Sequence, residues 1–390
     1  MPKQWKRFSG NWTLTQQLQA IAASTWPGVS LYQLYTWGNS TQGEGGRGDV
    51  VSRSSPVQVG STDDAYATIF AGNNNMAAVR SNGTLWMWGD NTSGTLGQNT
   101  AGDHASSPIQ VGALTNWKTA SVDGNHCVAI KTDGTAWTWG NDSHGQLGRN
   151  TKSINVSSPV QLGSDTDWAY GYAGEQLISL LIKTDGRLYS MGWRGNGQLG
   201  HNDVVSRSSP TQVGALTTWL SARSHGYSCA AIKTDGTAWT WGANSYGALG
   251  HSDTVQKSSP VQLGSDTNWS DVDVGTDRML GVKTDGTMYS WGRSQFGATG
   301  LGNLTYRSSP VQIGSLTTWS KVSSGAFFAA AIKNDGTIWS WGRNNGGQLG
   351  QDQPIALNVS SPVQIGSSTD WNSLSAGEDI VIANEKTTVS

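Results

Sequence analysis

The chain of 390 residues repeats versions of one short phrase, Thr135-Ala136-Trp137-Thr138-Trp139-Gly140. Asp133-Gly134 stands directly before the phrase, and Gly145-Gln146-Leu147-Gly148 follows it. The closing Trp-Gly pair recurs every 50 to 52 residues. Its tryptophans are Trp37, Trp88, Trp139, Trp241, Trp291 and Trp341, and Met191 takes the seventh position.

Two further markers share this period. The phrase Ser-Ser-Pro-x-Gln-x-Gly recurs with prolines Pro56, Pro108, Pro159, Pro210, Pro260, Pro310 and Pro362. A lone aromatic residue recurs at Tyr66, Trp117, Trp168, Trp219, Trp269, Trp319 and Trp371. Three markers with one period indicate a repeat architecture, in which a single unit cannot bury its apolar face alone.

Each unit predicts four short strands. The runs on either side of Asp133-Gly134 predict a β-hairpin with a type I′ turn, because glycine tolerates a positive φ. Residues 159–162 predict a further strand, with proline at its start, and Trp168 begins the next one. Four strands per unit form one blade of a propeller, and closing seven blades into a ring removes long exposed sheet edges.

The signature Trp-Gly-x-Asn-x-x-Gly-Gln-Leu-Gly is met most fully by residues 139–148 and 341–350. On these residues the chain resembles the repeats of the regulator of chromosome condensation family, over residues 31–390. The resemblance implies an all-β, seven-bladed propeller of four-stranded blades. It implies no single function, because the family hosts unrelated activities.

The two ends of the propeller predict how the ring closes. Leu34-Tyr35-Thr36-Trp37 matches the strand after an Asp-Gly turn, and Ile380-Val381-Ile382 matches the strand before one. We therefore expect that the last unit lacks its final strand and that the first residues of the propeller supply it. We expect residues 33–37 to pair with residues near 379–384.

Residues 1–30 stand outside the repeat and form a predicted N-terminal arm. Leu14, Leu18 and Ile21 are spaced as one face of a short amphipathic helix, and Pro27-Gly28 ends it. This helix is a candidate assembly element, and packing on the propeller itself is the alternative.

The arm also contains Asn11-Trp12-Thr13-Leu14, with Gln17 and Ala20 following, and then Trp26-Pro27-Gly28. This pattern resembles short N-terminal segments of structural proteins from tailed bacteriophages. The resemblance implies a virion protein with a homo-oligomeric assembly through residues 1–30.

Composition narrows the classes of partner. A net charge of −2 and a pI near 6.3, with no basic stripe, argue against a nucleic-acid surface. No apolar run approaches the length of a membrane span. The two cysteines, Cys127 and Cys229, occupy the same position in units two apart, so we expect small buried thiols and no disulfide.

The units differ most five positions after each Trp or Met191, where Gln42, Ser93, His144, Asn196, Tyr246, Phe296 and Gly346 stand. Equivalent positions in a propeller form a ring on one face, and aromatic residues among polar ones suit protein binding. The alternative is that these loops simply vary. The candidate protein-binding face consists of His144, Trp193, Arg194, Tyr246, Gln295 and Phe296.

Catalytic and metal-binding patterns do not stand out. His201 and His251 share a repeat position, but equivalent loops of neighbouring blades diverge, whereas metal ligands must converge. No phosphate-binding loop or nucleophile–base set is recognisable. We therefore predict a protein that is not an enzyme and has no cofactor or metal.

The resemblances leave four functions open. The first is a bacteriophage virion component, a tail fibre, spike or surface module that contacts host receptors or neighbouring virion proteins. A soluble protein-binding inhibitor and a guanine nucleotide exchange factor are alternatives, with a cytoplasmic rather than virion location. The fourth, an ultraviolet sensor like the plant photoreceptor propellers, rests on one Gly192-Trp193-Arg194 phrase.

Overall fold

The computed structural model describes residues 30–61, 65–353 and 356–388, which form seven four-stranded antiparallel sheets. In chain order the strands are β1 (Ser30–Gly38), β2 (Arg53–Val59), β3 (Tyr66–Ala71), β4 (Asn75–Arg80), β5 (Leu85–Gly89), β6 (Ala105–Gln110), β7 (Trp117–Asp123), β8 (His126–Lys131), β9 (Ala136–Gly140), β10 (Val156–Gln161), β11 (Trp168–Gly174), β12 (Ile178–Lys183), β13 (Leu188–Gly192), β14 (Arg207–Gln212), β15 (Trp219–His225), β16 (Ser228–Lys233), β17 (Ala238–Gly242), β18 (Lys257–Gln262), β19 (Trp269–Gly275), β20 (Arg278–Lys283), β21 (Met288–Gly292), β22 (Arg307–Gln312), β23 (Trp319–Ser324), β24 (Phe328–Lys333), β25 (Ile338–Gly342), β26 (Val359–Gln364), β27 (Trp371–Ala376) and β28 (Ile380–Thr388). One 3₁₀ turn, Gln295–Gly297, follows β21. The predicted all-β, seven-bladed propeller of four-stranded blades is confirmed.

Six of these sheets use four consecutive strands each, and we number them as blades 1 to 6 from β3 onward. Blade 7 has the order β2-β1-β28-β27 and combines both ends of the described chain. β1 pairs with β28 in an unbroken register from Ser30–Thr388 to Gly38–Ile380. The predicted closure is confirmed, because residues 33–37 face residues 381–385.

The order of strands within a blade fixes the two faces of the ring. The first strand of every blade lines a central cavity. Because the strands are antiparallel, the loops after the first and third strands emerge on one side, which we call the loop face. The Asp-Gly turns and the connections between blades emerge on the opposite side, which we call the turn face.

The Asp-Gly turns differ from the predicted type I′ geometry. Gly134 has a φ of 78°, but Asp133 keeps a negative φ, and Gly134 N–H donates to the Lys131 carbonyl at 3.0 Å. A type I turn followed by a left-handed glycine explains these contacts. Asp133 Oδ1 accepts from the Thr135 hydroxyl at 2.7 Å, and that hydroxyl accepts from Trp137 Nε1 at 2.9 Å. The Asp133 carboxylate thus favours the observed type I turn over the predicted type I′ turn.

The repeated tryptophans join a blade to the one before it by a hydrogen bond, except Trp291, whose indole N–H has no partner among the described residues. Trp139 and Trp241 are fully buried, and each donates its indole N–H to a loop carbonyl of the preceding blade. The distances are 2.7 Å from Trp139 Nε1 to the Thr95 oxygen and 2.7 Å from Trp241 Nε1 to the Gln198 oxygen. The Gly-Gln-Leu-Gly phrase is therefore the acceptor side of an inter-blade contact.

Met191 shows how blade 3 keeps this contact without a tryptophan. The Gln146 carbonyl, which occupies the acceptor position, receives the Ser179 hydroxyl at 2.8 Å. Ser179 lies opposite Met191 in the hairpin. In blade 4 the residue opposite Trp241 is Cys229, a buried free thiol, as is Cys127. The expectation of small buried cysteines agrees with these positions.

Lysines on the turn face follow an alternating pattern from blade 2 to blade 6. In blades 2, 4 and 6 the ammonium group lies 3.5–4.1 Å from the centroid of a tryptophan on the third strand. These lysines are Lys131, Lys233 and Lys333. In blades 3 and 5, Lys183 and Lys283 instead form 2.8 Å ion pairs with Asp165 and Asp266. In these two blades a tyrosine takes the place of the third-strand tryptophan.

The predicted N-terminal helix with Leu14, Leu18 and Ile21 lies outside the described residues and stays a prediction. Within the described ranges, no helix has the length and hydropathy needed to cross a membrane.

Candidate protein-binding face

The candidate residues predicted from the sequence all lie on the loop face, and they form two aromatic clusters rather than one ring. In the first cluster, the Trp193 ring packs on His144 at 6.0 Å and on Tyr227 at 5.6 Å, measured between centroids. Tyr227 belongs to a loop after a first strand, so this cluster joins blades 2, 3 and 4. Arg194 beside it is exposed.

The second cluster joins blades 4, 5 and 6. Tyr246 packs edge-on against Tyr306 at 5.4 Å, and Phe296 packs against Phe327 at 5.7 Å. The Arg293 guanidinium lies 4.7 Å from the Tyr246 ring and 5.7 Å from the Phe327 ring. Arginine over aromatic rings is a common feature of protein-binding surfaces.

The predicted aromatic residues are less exposed to solvent in the structure than the sequence suggested. His144, Trp193, Tyr246 and Phe296 are half-buried because each packs against an aromatic residue from another loop of this face. Gln295 begins the 3₁₀ turn that positions Phe296. The clusters are thus held in place without a partner.

Sequence reasoning missed a larger apolar feature of the loop face. Five blades carry an aliphatic residue five positions before the Ser-Ser-Pro proline, and each of these side chains is 51–60% exposed. We call this set the apolar rim: Val51, Ile154, Val205, Val255 and Leu357. Blades 1 and 5 interrupt the rim with Asp103 and Thr305. Aligning the seven units at the proline would have exposed the pattern.

Three of the rim residues stand on loops that are held by the same pair of contacts. Asp203 Oδ1 accepts from the Val205 backbone N–H at 3.0 Å, and Asp203 Oδ2 pairs with Arg207 at 2.6 Å. The same arrangement recurs in two other blades, with Asp49, Val51 and Arg53 and with Asp253, Val255 and Lys257. A surface ion pair contributes little to stability. Here its consequence is to fix an exposed aliphatic side chain.

Exposed aliphatic side chains on pre-ordered loops are suited to binding a protein. Burying each one stabilises a complex by roughly 1.5–3 kcal/mol, and a rigid loop loses little entropy on binding. The half-buried aromatic clusters lie on the same face, so rim and clusters form one composite surface.

The central cavity has a volume of about 400 Å³ and a charged wall. The Arg223 guanidinium lies 5.3 Å from the Tyr172 ring centroid, and its positive charge lowers the pKa of Asp271 and of Asp273. Lys321 contributes a second cation, whose pKa burial lowers and Asp271 raises. These charges come from first strands of different blades, more than 40 residues apart, so no local motif could reveal them.

Asp271 predicts a pH dependence of stability. Burial raises its pKa from the usual 3.8 to about 6, although Arg223 lowers it. The folded protein therefore binds more protons than the unfolded chain between these values, and this group costs stability as the pH rises from 4 to 7. We expect Asp271→Asn to gain stability over wild type across that range in urea unfolding. A difference that stays constant with pH would contradict this.

Comparison with known proteins bears on the fold and the family. The RCC1-like domain family model matches residues 33–383. The ultraviolet-B receptor UVR8 of Arabidopsis thaliana is 29% identical over 185 residues, covering 46% of this chain and 41% of the receptor. The human E3 ubiquitin-protein ligase HERC2 is 29% identical over 179 residues, covering 43% of this chain and 4% of the ligase. This chain thus aligns with less than half of either relative.

Solved structures share the whole architecture. Human WBSCR16 superposes with a TM-score of 0.81 at 22% identity, covering 92% of this chain and 100% of that one. Prp20p from Saccharomyces cerevisiae superposes with a TM-score of 0.81 at 18% identity, covering 93% of each chain. At these identities the likeness concerns the fold alone.

Proposed function

Because this chain belongs to the RCC1-like domain family, we propose that it is a non-enzymatic regulator that binds a folded protein partner on its loop face. The observation that carries this proposal is the apolar rim, five exposed aliphatic residues, three of which stand on loops fixed by hydrogen bonds and ion pairs. The aromatic clusters around Trp193 and Phe296 would supply the anchors inside the rim.

The relatives favour a regulator over the virion component that the N-terminal arm suggested. The four proteins compared above are all eukaryotic, and the Prp20p study concerns binding of that protein to Gsp1p and histones. An exchange factor for a small GTPase and an inhibitor of another protein both fit a binding face of this kind. The location, virion or cytoplasm, stays a prediction.

Photo-crosslinking tests which face binds. A photoreactive residue at Val205 on the loop face is compared with one at Leu216 on the turn face, in extract of the source cells. We expect a discrete crosslinked protein from position 205 and none from position 216. Equal crosslinking from both positions, or crosslinking from 216 alone, would contradict the proposal.

Binding of the purified partner gives the quantitative test. The triple variant Val51→Ser, Val205→Ser, Val255→Ser should weaken binding by about tenfold or more, because three aliphatic contacts are lost. A matched control changes Leu114, Leu216 and Leu316 to serine, three leucines on the turn face that are 41–48% exposed. This control should bind like wild type. If the partner is a small GTPase, nucleotide release is then measured directly.

A further inference from the structure

The loop-face end of the central cavity contains a carboxyl group whose electrostatic surroundings are almost entirely acidic. Asp123 ends β7, lines the cavity and is only 4% exposed. Its Oδ1 atom has no hydrogen-bond partner among the described residues. Burial raises its pKa well above the usual value, and the neighbouring Glu175 and Glu378 raise it further, against hydrogen bonds from the backbone of Gly124 and Asn73.

The positive charges on the cavity wall act on other carboxylates and not on Asp123. Arg223 interacts electrostatically with both Asp271 and Asp273, and Lys321 interacts with Asp271. Glu175 is held by its own contacts, with Gly226 N–H at 2.9 Å and His225 Nδ1 at 3.3 Å. The pKa of Glu175 is accordingly lowered, mainly by His225 and these hydrogen bonds against the effect of burial. Among the described residues, Asp123 therefore has no cationic side chain paired with it.

The polar atoms next to Asp123 are suited to a ligand that donates hydrogen bonds. Asn73 also lines the cavity, and its Oδ1 atom is unpartnered among the described residues. Its Nδ2 atom donates to Glu175 Oε1 at 3.3 Å, which fixes the orientation of the amide. The buried Ser324 hydroxyl on the same wall is unpartnered as well and can accept or donate.

An aromatic wall completes the site. Phe70 and Tyr172 pack edge to face with centroids 5.3 Å apart, and both line the cavity. Carbon surface of this kind suits an organic cation, whereas a bare Ca²⁺ ion takes six to eight oxygen ligands. The cavity volume is within the range of small-ligand sites.

We propose that this cavity binds an alkylammonium group, with Asp123 and Asn73 accepting its N–H groups and Phe70 and Tyr172 contacting its alkyl chain. The ammonium group can belong to a free amine or to a lysine side chain of the partner. The cavity is distinct from the apolar rim, so this site goes beyond the proposed function and can be tested without knowledge of the partner.

Binding is expected to release a proton. Asp123 has a raised pKa, and the charged or titratable groups around it are Glu175, Glu378, His225, Arg223 and Asp273. A cation that pairs with Asp123 favours its ionised form, so affinity rises with pH and protons leave as the cation enters. Calorimetry in buffers with different ionisation enthalpies measures this release.

The probe is butylammonium chloride, added to the full chain and followed by saturation-transfer NMR and calorimetry. We expect saturation transfer to the butyl protons, and binding about tenfold or more weaker in Asp123→Asn, because a charge-assisted hydrogen bond is lost. Asp370→Asn, which removes the same charge from an exposed position on the turn face, should bind like wild type. Asn73→Ala gives a second, milder reduction if Asp123→Asn is poorly folded.

The outcomes separate the two sources of the ammonium group. If Nα-acetyl-lysine methylamide binds as well as butylammonium, the site accepts a lysine side chain, and if only butylammonium binds, it takes a free amine. No saturation transfer from wild type, or equal affinity in wild type and Asp123→Asn, would overturn the proposal. The rim triple variant should keep amine binding while losing the partner, so a failure here leaves the proposed function intact.

Discussion

A chain that begins at Asn39 is expected to lose the folded ring, whereas a chain that begins at Ser30 should keep it. The two chains differ only by β1, which lies between β2 and β28 in blade 7. Without β1 both of these strands lose a partner, and the ring has two open sheet edges. Leu34 and Trp37, which are fully buried, are lost as well.

The expected loss is on the order of 5–10 kcal/mol, comparable with the whole stability of a typical domain. Near-ultraviolet circular dichroism reports the packing of the tryptophans, and light scattering reports aggregation through the open edges. The chain from Ser30 serves as the control. A cooperative thermal transition at the same temperature in both chains would show that closure by β1 is dispensable.

Trp241→Ala should lower the unfolding free energy by about 3–5 kcal/mol, because it removes a fully buried indole and leaves a cavity. It also removes the hydrogen bond to the Gln198 carbonyl at 2.7 Å. Urea unfolding measures the change. Trp193→Ala on the loop face is the control, and its cost should be smaller because that ring is half-buried.

The arrangement in blade 3 suggests a second set of variants at Trp241. There methionine stands at the tryptophan position, and the Ser179 hydroxyl satisfies the loop carbonyl. Trp241→Met should therefore cost less than Trp241→Ala. Adding Cys229→Ser to Trp241→Met should recover part of the loss, since Cys229 Sγ already lies 3.3 Å from the Gln198 carbonyl oxygen. No recovery in the double variant would contradict this account of blade 3.

The periodic features of this molecule were predictable, and the features that depend on geometry across blades were not. Trp139, Pro159 and Trp168 mark strands at a fixed period, so blades and closure follow from their positions. The turn at Asp133-Gly134 was wrong in type because an Asp-Gly pair fits two hairpin geometries, a type I′ turn with both residues at its centre and a type I turn followed by a left-handed glycine. Asp133 favours the observed geometry through its contact with Thr135.

In the candidate site, too, the residues at repeat positions were predictable and the contacts between blades were not. Tyr246 and Phe296 were found because they vary at a repeat position, but their partners Tyr306 and Phe327 come from other loops. Asp123 lies at an ordinary strand end in the sequence. Its chemistry arises only when first strands from separate blades meet around the cavity.

The alternation of turn-face lysines divides the blades into two electrostatic types. The lysine lies over a tryptophan in blades 2, 4 and 6, and it is paired with aspartate in blades 3 and 5. An odd-numbered ring cannot alternate all the way round. The alternation breaks at blades 7 and 1, where Glu385 and Arg80 stand at the lysine position, so the charge pattern of the turn face changes where the two ends of the described chain meet.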